Sequence, residues 1–192
     1  MQRRLSPEAR RAEIIATAHD LIAEEGYRSL SLREVARRCG MSAPGLMHHF
    51  PDMPSLLEAV LEARDLSDMA SITQALPEDA TFDDVVDAAF TFYEADTGVR
   101  SFDALEAEAI DPTHPAHRYF IDRDELVFKT VRPIIERQFE DPERVTALLR
   151  LLADGMRLRH MRDPEGFTMR SQWDTVRDAL YAVSPLRQAD PH

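Results

Sequence analysis

The sequence predicts an all-α protein of about nine helices, and three observations lead there. Apolar residues recur at three- and four-residue spacing through every long segment. Ser, Thr or Asp precedes several of these segments, at times with Pro just after, and Gly or Pro follows. No segment shows the alternation of a strand, an internal repeat or low complexity.

Ser6-Pro7-Glu8 opens the first helix with a cap, a Pro at the first helical position and an acid that suits the dipole. Ile14, Ile15, Ala18, Leu21 and Ile22 form its single apolar stripe, and Gly26 ends it. Ser31 caps the second helix, and Glu34 stands three residues on, at capping-box spacing. Val35, Ala36 and Cys39 form the inward face of that helix, and Ala36 is small where two helices cross closely. Gly40 falls where a helix needs a left-handed stop. Ser42 caps a third helix that carries Leu46 inward, with Phe50 also inward. A short helix pair meeting steeply over a Gly-containing turn is a helix-turn-helix, whose second helix enters the DNA major groove. Asp52 caps a fourth helix bearing Leu56, Leu57, Val60 and Leu61.

Breakers divide the remainder. Leu76 to Ala80 reads as a loop. Thr81 with Asp84 caps a fifth helix whose stripe is Phe82, Val85, Val86, Ala89, Phe90 and Tyr93, and Gly98 ends it. A sixth helix runs near residues 100–109, before the break Asp111-Pro-Thr-His-Pro115. A long seventh follows over 116–139 with Pro133 inside it, where the missing N–H should kink it. Asp141-Pro142-Glu143 starts the eighth, with Val145, Leu148, Leu149, Leu152 and Met156. Asp163 to Gly166 separates it from the ninth, with Met169, Trp173, Val176, Leu180 and Val183. Residues from Ser184 on carry no stripe and are expected to fray.

The apolar content of 44% supports a real core, and no apolar run approaches the length of a membrane-spanning helix. The N-terminus lacks the apolar region of a signal peptide. A single cysteine, Cys39, permits no internal disulfide and fits a cytoplasmic protein; on a buried helix face it reads as a small core residue. The net charge of -12 argues at first against a nucleic-acid partner. Its distribution reverses that: residues 1–50 hold eight arginines against six acids, and the rest fifteen basic against twenty-nine acidic residues. DNA would attract the first part weakly and repel the second, which orients the molecule on a duplex.

Residues 10 to 62 resemble the DNA-binding domain of the TetR/AcrR transcriptional regulators. The matching pieces are the first helix ending Glu24-Glu25-Gly26-Tyr27, then Ser29 to Ala36, then Gly40-Met41-Ser42-Ala43-Pro44-Gly45-Leu46, His48-His49-Phe50-Pro51-Asp52 and Leu56-Leu57. The joint pattern is specific, although each piece alone is weak. The resemblance implies a helix-turn-helix domain over residues 1–53 and a ligand-binding and dimerisation domain over 54–192, linked by the helix from 54. It implies a ligand-responsive regulator of transcription, most simply a repressor that a small molecule releases from a palindromic operator. Two positions depart from the family, which usually has Tyr where Met47 stands and Lys where Met53 stands. Both usual residues touch phosphates, whereas Met donates no hydrogen bond and carries no charge. The alternative reading is a helical interaction module that has lost specific DNA binding.

The third helix presents Ala43, Pro44, Gly45, Met47 and His48 outward. Backbone N–H groups near Ser42, Ala43 and Gly45 can approach a phosphate, and His48 and His49 can donate to phosphate or to guanine acceptors. Met47 suits a thymine methyl. Ser31 and Arg33 sit where they can clamp the DNA backbone. Arg3, Arg4, Arg10 and Arg11 form either a basic arm that reaches a groove or a plain solvated helix end.

The last two helices are long, antiparallel by their short link and apolar over a wide face. Two such hairpins in a two-fold homodimer make a four-helix bundle, with Leu151, Met156, Trp173 and Leu180 as candidate contacts; the other reading is that they pack inward. By the resemblance, an effector pocket lies in the C-terminal domain. Aromatics available to line it are Phe90, Tyr93, Phe102, Tyr119, Phe120 and Phe128, beside Trp173, and each also suits a core. His114, His117 and His160 lack the spacing of a metal site, so neither metal nor cofactor is expected. No nucleophile elbow, phosphate loop or catalytic carboxylate pair stands out, so no enzyme is expected.

Overall fold

The computed structural model describes residues 5–95 and 99–187, except for the side chains of residues 75, 94, 95, 99 and 100. Arg3, Arg4 and Gly98 therefore lie outside the described residues. Nine α-helices are present among those described: α1 Pro7–Glu25, α2 Leu32–Arg38, α3 Ala43–Met47, α4 Met53–Ala75, α5 Phe82–Ala95, α6 Val99–Glu108, α7 His117–Gln138, α8 Pro142–Arg162 and α9 Met169–Val183. None is long and apolar enough to cross a membrane. The all-helical expectation holds, with Pro133 inside α7.

The caps form where the local chemistry places them. The hydroxyls of Ser6, Ser31 and Ser42 accept from the N–H groups of Ala9, Glu34 and Gly45, each at 3.2 Å. Thr81 and Asp84 exchange bonds, with Thr81 N–H donating to Asp84 Oδ2 at 2.8 Å and Asp84 N–H to Thr81 Oγ1 at 3.2 Å. Asp141 accepts from Arg144 N–H at 3.0 Å. Gly26 and Gly40 adopt φ of 79° and 63°, which favours glycine and stops α1 and α2.

The chain forms two compact units. The first comprises residues 1–70 and 97–120. Its core joins Ile14, Ala18, Leu21 and Ile22 of α1 to Val35 and Ala36 of α2, Leu46 of α3 and the Leu56–Leu61 face of α4. Helix α6 completes it: Phe102 is buried beneath the stacked ring of His19, 5.2 Å away, and the Arg64 guanidinium, 4.1 Å from the ring centre. The second unit comprises residues 71–96 and 121–192. Its core gathers Phe82, Phe90, Ile135, Phe139, Val145, Met156, Phe167, Met169, Trp173 and Leu180.

The end of the chain departs from expectation. Residues 184–187 are pinned rather than frayed. Ser184 is fully buried, and its hydroxyl meets the backbone of Asp141 in both directions at 3.2 Å. Glu140 N–H donates to the Pro185 carbonyl, Arg187 N–H to that of Gln138, and Phe139 and Leu186 form an isolated bridge. Backbone hydrogen bonds and the polar side chains of Ser184 and Arg187 hold this segment, and an apolar stripe carries no trace of them.

Candidate nucleic-acid interface

Helix α3 has only five residues, so its own hydrogen bonds hold little of it in place. Leu46 N–H donates to the Ser42 carbonyl at 3.0 Å, and His49 and Phe50 N–H return to the Leu46 carbonyl at 2.8 and 3.0 Å. Side chains supply the rest of its orientation. Leu46 is fully buried, and Phe50, just past the helix, is 1% exposed. A β-carbon at Gly45 would sit 3.1 Å from Ser42 Oγ, so glycine there leaves room for the cap.

The opposite face of α3 is open. Pro44, Met47 and His48 are exposed, and Ala43, Gly45 and His49 are half-buried. Met47 is 50% exposed, free to meet an apolar group, whereas Met53 packs at the edge of the core. The two departures from the family pattern thus have different settings. Ser31 and Arg33 are exposed at the start of α2. Of the three N–H groups, that of Gly45 is already taken up by the Ser42 hydroxyl in the cap.

Most of the described arginines among the first fifty residues pair with nearby acids. Arg10 pairs with Glu13 at 2.5 Å, Arg28 with Glu108 at 3.0 Å and Arg37 with Glu34 at 2.5 Å. Arg38 meets Glu25 at 3.3 Å. Glu34, expected to complete a capping box, turns its carboxylate to Arg37, which holds its pKa below the usual range. Among the described residues up to Phe50, Arg11 and Arg33 are the arginines that engage no carboxylate. Arg11 instead donates to the His49 carbonyl at 3.1 Å and lies over the Phe50 ring at 4.1 Å. It is no loose arm.

Asp52 fixes the entry to α4. Its carboxylate accepts from Ser55 N–H at 2.8 Å, and bonds from the Ser55 backbone and then its hydroxyl hold its pKa below the ordinary aspartate range. A carboxyl depressed on folding stabilises the fold above its ordinary pKa and loses that contribution as pH falls through the lowered value. The difference in melting temperature between the parent and Asp52→Asn is therefore expected to be present at neutral pH and to close in acid. A pH-independent difference in melting scans would contradict this.

The six aromatics nominated for an effector pocket do not converge. Phe102, Tyr119 and Phe120 belong to the first unit's core, where Tyr119 O–H donates to Asp65. Phe90 and Tyr93 pack in the second unit's cluster, Phe90 with Trp173 at 6.4 Å. Phe128 lies under the Arg150 guanidinium, 4.0 Å from its centre. A cleft of about 230 Å³ opens in the second unit, lined by Arg132, Pro142, Glu143, Thr146, Ala147 and Arg150, none of them nominated from sequence. Its arginines are engaged: Arg132 with Glu136 and Glu143 at 2.6 and 3.0 Å, Arg150 with Asp124 and with Glu125 at 3.4 Å. Burial keeps the Asp124 carboxyl above its ordinary pKa despite Arg150.

Three of the four residues expected at a dimer interface turn inward. Met156, Trp173 and Leu180 are 9%, 3% and 3% exposed, and Trp173 packs against Phe82 and Phe90. Leu151 is 71% exposed. The apolar arc of each helix is wide enough to serve both a core and an outer face, so periodicity alone does not fix which residues take which side. The outer stripe reads Ala147, Leu151, Gly155 and Leu158 on α8, beside Ala179, Ala182 and Val183 on α9. The three histidines weighed as metal ligands are dispersed. His117 Nδ1 lies 2.7 Å from the Ala109 carbonyl and His114 packs its ring on Tyr27, whereas His160 Nδ1 is 3.4 Å from the Phe167 carbonyl in the other unit.

Comparison with known proteins agrees with this architecture. Residues 14–60 match the family described as bacterial regulatory proteins, tetR family. The HTH-type transcriptional activator FasR of Mycolicibacterium smegmatis is 31% identical over 100 residues, covering 49% of this chain and 45% of that protein. The chain thus spans less than half the length of that curated relative. Among solved structures, a transcriptional regulator of Rhodococcus sp. Rha1 superposes with a TM-score of 0.76 at 18% identity, over 93% of this chain and 99% of the other. SmeT in complex with triclosan superposes at 0.74 and 17% identity, over 94% and 93%. Residues 14–60 thus match the N-terminal domain of the tetR family, and the chain as a whole shares the fold of these solved structures.

Proposed function

We propose that this protein is a cytoplasmic, sequence-specific DNA-binding repressor that reads a palindromic operator as a homodimer and is released by a small molecule. The observation that carries the reading is the two-sidedness of α3. Leu46 and Phe50 anchor it from within, while Pro44, Met47 and His48 face outward, as the second helix of a helix-turn-helix must to enter a groove. His48 and His49 supply donors for base edges or phosphates, Met47 an apolar contact, and Ser31 and Arg33 a grip on the backbone.

The outer stripe of α8 and α9 supports the dimer. Its small residues let helices approach closely, and Leu151 and Leu158 give apolar area to bury. Two α3 helices on one axis would read half-sites separated by about one helical turn, roughly 34–36 Å, or a multiple. An effector acts by favouring a state with the wrong separation, with a coupling of about 1–3 kcal/mol per site. Phe90 and Tyr93 are the nominated aromatics best placed to line its site, since both belong to the second unit's apolar cluster, Phe90 beside Trp173.

Selection of duplexes from a random pool, followed by anisotropy titrations across a salt series, tests the function. A two-fold symmetric consensus is expected, with affinity falling linearly in log salt while sequence preference persists. Failure to enrich any sequence at low salt would overturn the reading in favour of a helical interaction module, consistent with the uncharged Met47.

A further inference from the structure

The arginines at the start of α1 invite assignment as phosphate contacts, but the geometry of one points elsewhere. We infer that Arg11 is a positioning residue for the recognition helix, bracing the C-terminal end of α3 against α1. Its effect on DNA rests on the DNA-binding reading above; its effect on the free protein does not.

The last carbonyls of a helix have no partner within it, and a five-residue helix has few bonds to spare. Arg11 Nη1 ties down the turn that follows, donating to the His49 carbonyl, two residues past the end of α3, at 3.1 Å across 38 residues of sequence. A cation there also suits the negative end of the helix dipole. The same guanidinium lies 4.1 Å from the centre of the Phe50 ring, whose side chain is otherwise sealed in the core. A planar, delocalised cation can stack on a ring and donate in its own plane at once, whereas an ammonium cannot. One side chain therefore clamps two consecutive residues, immediately after the face that carries Met47 and His48. Its neighbour Arg10 turns to Glu13 and makes no such link.

Two readouts separate positioning from phosphate contact in Arg11→Met and Arg11→Lys. Methionine keeps the stem's packing and removes the donors; lysine keeps the charge and removes the planar fork. In the free protein, amide exchange at His49 and Phe50, both bonded to the Leu46 carbonyl, is expected to quicken about tenfold in each variant. On the selected duplex, affinity is expected to fall about tenfold, with the salt slope and binding to a scrambled duplex unchanged. Unchanged exchange overturns the inference. So does an Arg11→Met loss shared by both duplexes with a slope shallower by about one, restored by lysine, which marks a phosphate contact. If Arg11→Met does not fold, Arg11→Lys carries both readouts. If the parent protein shows no sequence preference, the function proposed above fails, and the exchange result alone decides the role of Arg11.

Discussion

Leu46→Ala is expected to lower the stability of the first unit by about 2–5 kcal/mol and to remove the proposed sequence-specific DNA binding while the second unit stays folded. Leu46 is the only buried residue of α3 and is fully enclosed by the core it shares with Val35, Ala36 and Leu56. Truncation leaves a cavity beneath a helix that has no length over which to redistribute the loss. The Leu46 carbonyl also receives the N–H groups of His49 and Phe50, so a shift of this residue moves the whole end of the reading surface. The two units have separate cores, so a urea titration should resolve an early transition in the variant rather than one shifted midpoint. Met47→Ala, one residue on and half exposed, is the control, expected within about 0.5 kcal/mol of the parent. A Leu46→Ala protein that unfolds like the Met47→Ala one and keeps its preference for the selected duplex would show that α3 is not held as described.

How much of this was legible in the sequence follows from the range of each interaction. Caps act over three residues, so Ser6, Ser31, Ser42, Asp52, Thr81 and Asp141 can be read directly, as can the positive-φ stops at Gly26 and Gly40. The inward faces of α1 and α2 follow because each has one narrow stripe and a polar remainder. Long-range partners do not. Phe102, Tyr119 and Phe120 look like pocket aromatics until α6 is seen to lie on α1, with Ser101 O–H donating to the Ala23 carbonyl at 2.9 Å. The clamp of Arg11 on His49 and Phe50 is of the same kind. Its faint sequence signal is an arginine three residues before the Ile14 stripe, at the edge of the buried face. In α8 and α9 the period is clear and the phase is not, because apolar residues occupy both sides.

That ambiguity of phase gives the second large effect its force. Leu151→Arg is expected to convert the proposed homodimer to a folded monomer with a mass near 21.9 kDa by light scattering at micromolar concentration. Leu151 is 71% exposed, so within one copy the substitution costs little and the circular dichroism and melting temperature of the isolated chain should hold. Across a two-fold axis every substitution occurs twice on one patch, and here the two copies would bring two new cations together amid Ala147, Gly155 and Leu158, with Asp154 as the acid nearest to each. Operator affinity should fall about 100- to 10,000-fold, because the second half-site then binds at bulk rather than effective concentration. Trp173→Ala separates the two roles of the hairpin: the ring packs on Phe82 and Phe90 and serves the protomer's core, so its loss should destabilise the second unit by about 3–5 kcal/mol. A Leu151→Arg protein that remains dimeric and binds the operator as before would place the interface away from the α8 stripe.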